Sequence, residues 1–310
     1  MVDRKGKKMR AVVTGGNGFI GRRLSLELLN NGYELVVISR HADKLDPEVL
    51  HHEKCRCVVK DIKEVTLEDL RSDEPYDVFF NLCWDGVASE DKNNLDKQLN
   101  NIHNSLQAID LCHDIGCRLF VSSGTVAEYA LTTDVMDLES KQCPNDFYGA
   151  TKVAVHYYLT VRANQLAQPF IWCVLPSTYG EGRASNNIIT YTIKTLLKRE
   201  KPQYGDLNQM WDFLYVSEVA RALRYVGEKG IPGKVYGIGS GEYRPLKEYI
   251  CTIRDLIDPN LLLGIGEKPD ESKKSFSSCV NIYDLIKDTG FKPQISFEDG
   301  ITRTIEYYRK

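Results

Sequence analysis

Thr14-Gly15-Gly16-Asn17-Gly18-Phe19-Ile20-Gly21 is the stretch on which the reading of this chain turns. It follows a short apolar run, Arg10–Thr14, that reads as a strand. It opens a helix expected from about Phe19 to Asn31, with Ile20, Leu24 and Leu28 on one face and Gly32 as the stop. Gly15, Gly18 and Gly21 let the chain turn tightly, let the backbone approach a pyrophosphate, and let the helix pack close to the strand. Phe19 and Ile20 begin the helix, whose free N–H groups face the phosphates. A glycine triplet by itself marks only a turn; between a first strand and an amphipathic helix it reads as a dinucleotide site.

Outward from that stretch, strands and helices alternate. Further strands are expected at Glu34–Ser39, Arg56–Lys60, Asp77–Cys83, Arg118–Ser122 and Phe170–Leu175. Thr66 and Asp69 cap a short helix, and long helices run through Leu95, Leu99, Ile102, Leu106 and Ile109 and over Phe147–Ala167. This pattern predicts an α/β fold, a doubly wound parallel sheet of the Rossmann kind. Residues 1–175, joined by about 212–235, form the expected dinucleotide-binding domain, with the apolar segment Asp212–Gly227 returning to the sheet as a helix. From Pro176 the rhythm breaks into loops rich in Gly, Asn and Pro. Residues from about 176 to 211 and from 236 to 310 are expected to form a smaller C-terminal substrate-binding lobe over the carboxyl ends of the strands.

Composition narrows the class. In 310 residues, 42% are hydrophobic and 27% charged, ordinary usage for a soluble globular chain. A formal charge of −3 offers no field suited to nucleic acid or an anionic membrane, and no apolar run approaches the roughly 20 residues of a membrane span. Met1–Lys8 lacks the apolar stretch of a secretory signal, and the nine cysteines, an odd number, read as reduced core residues of a cytoplasmic protein. His51, His52, Cys55 and Cys57 invite a zinc reading, but no second Cys/His pair follows at a structural spacing, and the two cysteines share one face of a strand. No metal is expected.

The end of the second strand indicates the cofactor. An acidic residue there would bind the adenosine ribose and repel a 2′-phosphate; Ser39 and Arg40 stand there instead, a small hydroxyl and a cation suited to phosphate, to which Arg22 and Arg23 add charge. NADP(H) is therefore favoured over NAD(H).

Tyr148-Gly-Ala-Thr-Lys152 sets a phenol and an ammonium one helical turn apart. The ammonium lowers the phenol's pKa so that tyrosine exchanges a proton with a carbinol or carbonyl, and the lysine also holds the nicotinamide ribose. Tyr225/Lys229, Tyr243/Lys247 and Tyr283/Lys287 repeat the spacing, but only Tyr148 opens the long helix after the hydroxyl-rich strand end Ser122-Ser123-Gly124-Thr125. Thr125 is expected to bond the reacting oxygen and complete a triad, with Ser123 its competitor.

Carried by these motifs, the chain resembles the extended short-chain dehydrogenase/reductases, often called NAD-dependent epimerase/dehydratases. The resemblance covers nearly the whole chain. It runs through Thr14–Gly21, Asp61-Ile62, Asn81-Leu-Cys-Trp-Asp-Gly86, Gly124-Thr-Val-Ala-Glu-Tyr129, Tyr148–Lys152, Ser177-Thr-Tyr-Gly180, Asn186-Asn187 and Trp211-Asp-Phe-Leu-Tyr-Val216. It implies that Asp61 and Ile62 contact adenine, that Leu82 belongs with the cofactor residues, and that Asn187 sits near the diphosphate of a nucleotide sugar. Trp84, Thr125 and Trp211 join Asn187 on the substrate side. Many relatives carry a phosphate-binding arginine where Trp211 stands, so the grip is expected from Arg183, Lys194 or Arg244.

The 4,6-dehydratases of the family place an Asp-Glu pair directly after the threonine; Val126 and Ala127 stand there and carry no protons. The motifs also resemble those of CDP-abequose-synthase-like 4-ketoreductases of bacterial surface-polysaccharide pathways. The implied activity is NADPH-dependent reduction of the C4 carbonyl of a nucleoside-diphosphate 4-keto-6-deoxyhexose. A 4-epimerase with tightly held NAD is the alternative, and a non-catalytic NADP(H)-binding sensor or scaffold a further one. Relatives often dimerise through two long helices, here Leu95–Cys112 and Lys152–Leu166, whose apolar residues fit a homodimer contact or the core equally well.

Overall fold

The computed structural model describes residues 8–88, 90–129, 135, 136, 140–183, 187–268 and 278–310. The first half runs β1 (Arg10–Thr14), α1 (Phe19–Asn30), β2 (Glu34–Ser39), α2 (Pro47–Leu50), β3 (Cys55–Val59), β4 (Val78–Asn81), α3 (Leu95–Asp114), β5 (Phe120–Thr125), α4 (Phe147–Leu166) and β6 (Phe170–Leu175). Then follow β7 (Ser177–Tyr179), α5 (Ile188–Leu197), β8 (Met210–Trp211), β9 (Phe213–Tyr215), α6 (Val216–Lys229) and β10 (Val235–Gly237). The chain closes with β11 (Arg244–Pro245), α7 (Leu246–Ile257), α8 (Tyr283–Thr289) and α9 (Phe297–Arg309).

Seven strands pair in the order β10-β6-β5-β4-β1-β2-β3, every pair parallel. The order reverses between β1 and β4, and ligands of such sheets bind in the crevice outside the carboxyl ends of those strands. Continuous apolar runs such as Ala11–Val13, Leu35–Ile38 and Ile171–Val174 suit strands covered on both faces. On one face, Leu24 and Leu28 of α1 pack with Val219, Leu223 and Val226 of α6 and with Leu285 and Phe291 near α8. On the other, Ala108, Ile109 and Cys112 of α3 meet Val155, Leu159 and Ala163 of α4. A third core joins α5, α7 and α9 through Ile189, Ile193, Ile250, Ile253, Ile301 and Ile305, away from the main sheet. No described helix is long and apolar enough to cross a membrane.

Three elements differ from the sequence expectation. β5 starts at Phe120 and continues to Thr125, because β4 pairs with it as far as Ser122 and β6 as far as Thr125. Ser122 is ladder-bonded on both sides and Ser123 and Thr125 on the β6 side, and all three residues are buried despite their polarity. The helix expected over Asp212–Gly227 begins only at Val216, since Phe213–Tyr215 pairs with β7 as a strand. The helix capped by Thr66 is a single turn at Glu68–Leu70, where Asp69 Oδ2 accepts from both the Thr66 N–H and its hydroxyl at 2.8 Å.

Candidate active site

The loop from β1 to α1 is shaped by close backbone approach. Gly15 has φ +70°, and a Cβ there would stand 2.9 Å from the backbone of Leu82 and Cys83; a Cβ on Gly21 would overlap the Gly15 carbonyl oxygen. The Gly18 N–H donates to that same oxygen at 2.9 Å. Gly18 brings no capping side chain to α1 and the first turn, led by Phe19 and Ile20, carries no acidic residue, so its N–H groups are left for an anion. These features fit a dinucleotide pyrophosphate.

Beside the loop lies a cavity bordered by Ser39, Arg40, Asp61, Ile62, Leu82 and Trp84, which unites the expected adenosine-side residues. Ser39 is buried, its hydroxyl bonded to the His41 carbonyl at 3.2 Å. Asp61 caps the turn that holds Ile62, accepting from the Lys63 N–H at 3.1 Å. The Leu82 N–H donates to Thr14 Oγ1 at 3.1 Å. Arg40 is engaged by Asp85 through two hydrogen bonds, at 3.0 and 2.5 Å. Arg22 and Arg23 turn the other way: Arg23 pairs with Glu181 at 3.1 Å, and Arg22 reaches the Glu181 carbonyl and Asp46. The expected addition of their charge to that of Arg40 is therefore not found.

The catalytic candidates meet at the carboxyl end of β5. Asp146 caps α4, accepting from the Gly149 N–H at 2.7 Å, and a Cβ on Gly149 would come within 2.5 Å of the Ala127 carbonyl. The first turn of α4 thereby lies directly on the turn after Thr125, and the Tyr148 phenol faces the Thr125 side chain, which favours its ionised form. Lys152, one turn along, is buried; its ammonium donates to the Ser123 carbonyl at 2.6 Å and stands 3.7 Å from the centre of the Trp84 ring. Ser123 thus serves lysine through its backbone, while Thr125 faces tyrosine. Trp84 meets Tyr148 edge-on at 5.9 Å and is held by Gln98, so it stands within the catalytic cluster. The look-alike pairs differ: Lys229 and Lys287 lie over the rings of their own tyrosines, 225 and 283.

Burial dominates the titration of the cluster. It pushes the Tyr148 phenol up to about 12, partly offset by the neighbouring Thr125 side chain and by Arg183. It pulls Lys152 down to about 7 against the attraction of Glu128. The expected lowering of Tyr148 by the Lys152 ammonium is not found; the lowering influences on the phenol are Thr125 and Arg183.

Sequence reasoning passed over Glu128. Fully buried beneath the triad, it accepts from the Thr125 N–H at 2.7 Å, the Trp172 indole at 3.3 Å and Gln142 at 3.5 Å, and burial raises its carboxyl to about 7. A carboxylate directly after two apolar residues at a strand end was the available signal. Gly124 makes room for it, since a Cβ there would stand 2.5 Å from Glu128 Oε1.

The expected substrate-side residues line up less closely. The Asn187 side chain caps α5, accepting from the Thr190 N–H at 2.9 Å; its neighbour Asn186 lies outside the described residues. Trp211 packs on Phe213 at 6.2 Å, and its carbonyl accepts from the Tyr249 hydroxyl at 3.2 Å. Among the proposed phosphate grips, Arg244 is bound to Glu298 and Glu242. Arg183 lies over the Phe19 ring and donates to the Thr178 carbonyl, and Lys194 lies over Tyr308.

Known proteins show the same architecture. A dTDP-4-dehydro-6-deoxyglucose reductase of Escherichia coli is 25% identical over 319 aligned positions, 98% of each chain. A dTDP-glucose 4,6-dehydratase of Xanthomonas campestris is 27% identical over 195 positions, 60% of this chain and 54% of its own, so the match spans about half of that enzyme. The solved UDP-glucuronic acid 4-epimerase of Bacillus cereus, in complex with UDP-glucuronic acid and NAD, superposes with a TM-score of 0.84 at 22% identity, over 97% of this chain and 99% of its own. The model of the NAD dependent epimerase/dehydratase family matches residues 11–239, from β1 through β10. Glycine loop, parallel sheet and the Thr-Tyr-Lys cluster thus meet in one chain, which belongs to the NAD dependent epimerase/dehydratase family, the extended short-chain dehydrogenase/reductases.

Proposed function

We propose that this chain uses NADPH to reduce the C4 carbonyl of a nucleoside-diphosphate 4-keto-6-deoxyhexose. The observation that carries the reading is geometric: Tyr148 opens α4 beside Thr125, one turn before the buried Lys152 that donates to the Ser123 carbonyl at 2.6 Å, and burial favours the protonated phenol. The phenol is then an acid ready for the oxygen that hydride addition leaves behind. When bound, the nicotinamide supplies the hydride. Tyr148 donates its hydroxyl proton to the carbonyl oxygen, the Thr125 hydroxyl polarises that oxygen by donating to it, and Lys152 orients the ribose. Val126 and Ala127 offer no group for moving protons at C5 and C6, and Glu128 is enclosed beneath them, which argues against dehydration. The E. coli reductase matching end to end supports the same reaction.

The test is NADPH oxidation, followed by nicotinamide absorbance, against CDP-, dTDP-, UDP- and GDP-linked 4-keto-6-deoxyhexoses, repeated with NADH. Tyr148→Phe is expected to lower turnover by roughly 10²–10⁴-fold while leaving NADPH binding almost intact; survival of activity would overturn the assignment. A second reading, a 4-epimerase retaining NAD, draws support from the engagement of Arg40 by Asp85. Interconversion of 4-epimeric nucleotide sugars without net cofactor turnover would establish it. We further read the outer faces of α3 and α4, where Leu95, Leu99, Tyr157, Tyr158 and Val161 are exposed, as a homodimer contact.

A further inference from the structure

Asp85 enters the adenosine-side cavity from the loop after β4 and is built into place. Its backbone N–H donates to Asn101 Oδ1 at 2.9 Å, and its carbonyl accepts from Asn101 Nδ2 at 2.9 Å. On either side, Gln98 accepts from the Trp84 indole at 3.0 Å and donates to the Gly86 carbonyl at 2.9 Å. Both amides come from α3 and both are buried, so the loop has little freedom to carry the carboxylate away. Arg40, by contrast, is a long side chain at the end of β2, half exposed, reaching Asp85 across the cavity. The other cation bordering the cavity, Lys60, is bound by both carboxylate oxygens of Asp69 at 2.7 Å, and Asp61 adds a second negative charge. A 2′-phosphate arriving here meets one reachable guanidinium, already neutralised by a carboxylate that stays.

We infer that Asp85 is a specificity-determining residue that competes with the 2′-phosphate of NADP(H) for Arg40, so that the chain distinguishes NADPH from NADH less sharply than Arg40 alone would allow. The inference rests on the reading of this cavity as the adenosine site and of Arg40 as its phosphate-binding group. An exposed ion pair is a weak competitor, so the phosphate wins Arg40, less the free energy of breaking its pair with Asp85.

The experiment is titration of the full chain with NADPH and with NADH, followed by nicotinamide fluorescence, for the wild type, Asp85→Asn, Arg40→Ala and the double variant. Asp85→Asn keeps the side chain's size and the backbone clasp by Asn101. It is expected to tighten NADPH about 2- to 5-fold, the scale of one exposed charge pair, while NADH changes less than about 1.5-fold. In the Arg40→Ala background the gain should shrink, because there is no guanidinium left to compete for. An unchanged NADPH-to-NADH ratio in Asp85→Asn, with Arg40→Ala still weakening NADPH, would overturn the competition alone. Weaker NADPH binding in Asp85→Asn would overturn it too, by showing that the carboxylate organises Arg40 for phosphate. NADPH affinity untouched by Arg40→Ala would overturn both this inference and the reading of Arg40 beneath it. Retained NADH binding in every variant checks that the fold is intact without calling on turnover.

Discussion

His156 shows how a single ring couples the active-site floor to pH. Its imidazole lies parallel to Trp172 at 4.9 Å, Nδ1 has no partner among the described residues, and burial pulls its pKa down to about 4. In the unfolded chain the same group titrates near the ordinary value of about 6.5. Between those values the unfolded chain binds a proton that the native chain refuses, so this contribution to stability is full above about 6.5 and is lost as pH falls towards 4. Glu128 and Asp212, both raised to about 7, act in the opposite sense, because the native chain takes up their protons first on acidification. The prediction is therefore a difference. Urea midpoints of wild type and His156→Phe should converge or cross as pH drops from 6.5 to 4, with a slope of at most about 1.4 kcal/mol per pH unit for one proton. Parallel curves would show that His156 takes up its proton equally in the folded and unfolded chains.

Elements bring the reacting groups together through close approaches that side chains would block. α1 lies against the glycine loop so tightly that a Cβ on Gly21 would overlap the Gly15 carbonyl, whereas a Cβ on Gly18 would be 3.1 Å from that same oxygen with nothing else near. Gly21→Ala must push α1 away from the phosphate loop; Gly18→Ala asks for a few tenths of an ångström. Gly21→Ala is expected to cost about 1–3 kcal/mol in a denaturant titration, as overpacking does, and to weaken NADPH binding much more than Gly18→Ala. Equal losses for the two would mean that helix position does not govern the site. The extent of β5 was hard to see beforehand: Ser122, Ser123 and Thr125 read as a polar strand end, and pairing with β4 as far as Ser122 and with β6 as far as Thr125 drew them into the sheet.

At the scale of the whole molecule, α3 and α4 cover one face of the sheet, joined by the Arg162–Asp110 pair at 2.7 Å, and keep a second apolar stripe outward. Tyr157, Tyr158 and Val161 share one face of α4, and Leu95 and Leu99 one face of α3, at the spacings that make helix neighbours. Two such helices from each of two copies would bury these groups in a four-helix contact. Light scattering after size exclusion should give a dimer for the wild type and a monomer for Leu99→Glu combined with Val161→Glu. A monomeric wild type would leave the stripe without that role.

The chain's own order determined the glycine loop, the bounds of β1, β2 and β6, and the one-turn spacing of Tyr148 and Lys152 on α4, because each rests on chemistry within a few residues: glycine sterics, apolar periodicity, one helical turn. Only the tertiary structure decided what depends on residues distant in sequence. It set Asp85 against Arg40, forty-five positions apart, and Glu128 beneath Trp172, forty-four apart. It placed β10 beside β6 at the sheet edge, and it gave the Lys152 ammonium to the Ser123 carbonyl and the Trp84 face rather than to its own tyrosine. Such contacts leave no local pattern. They form because strands that are remote in the chain become neighbours in a parallel sheet, and because a buried charge or polar group must take whatever partner that sheet brings within reach.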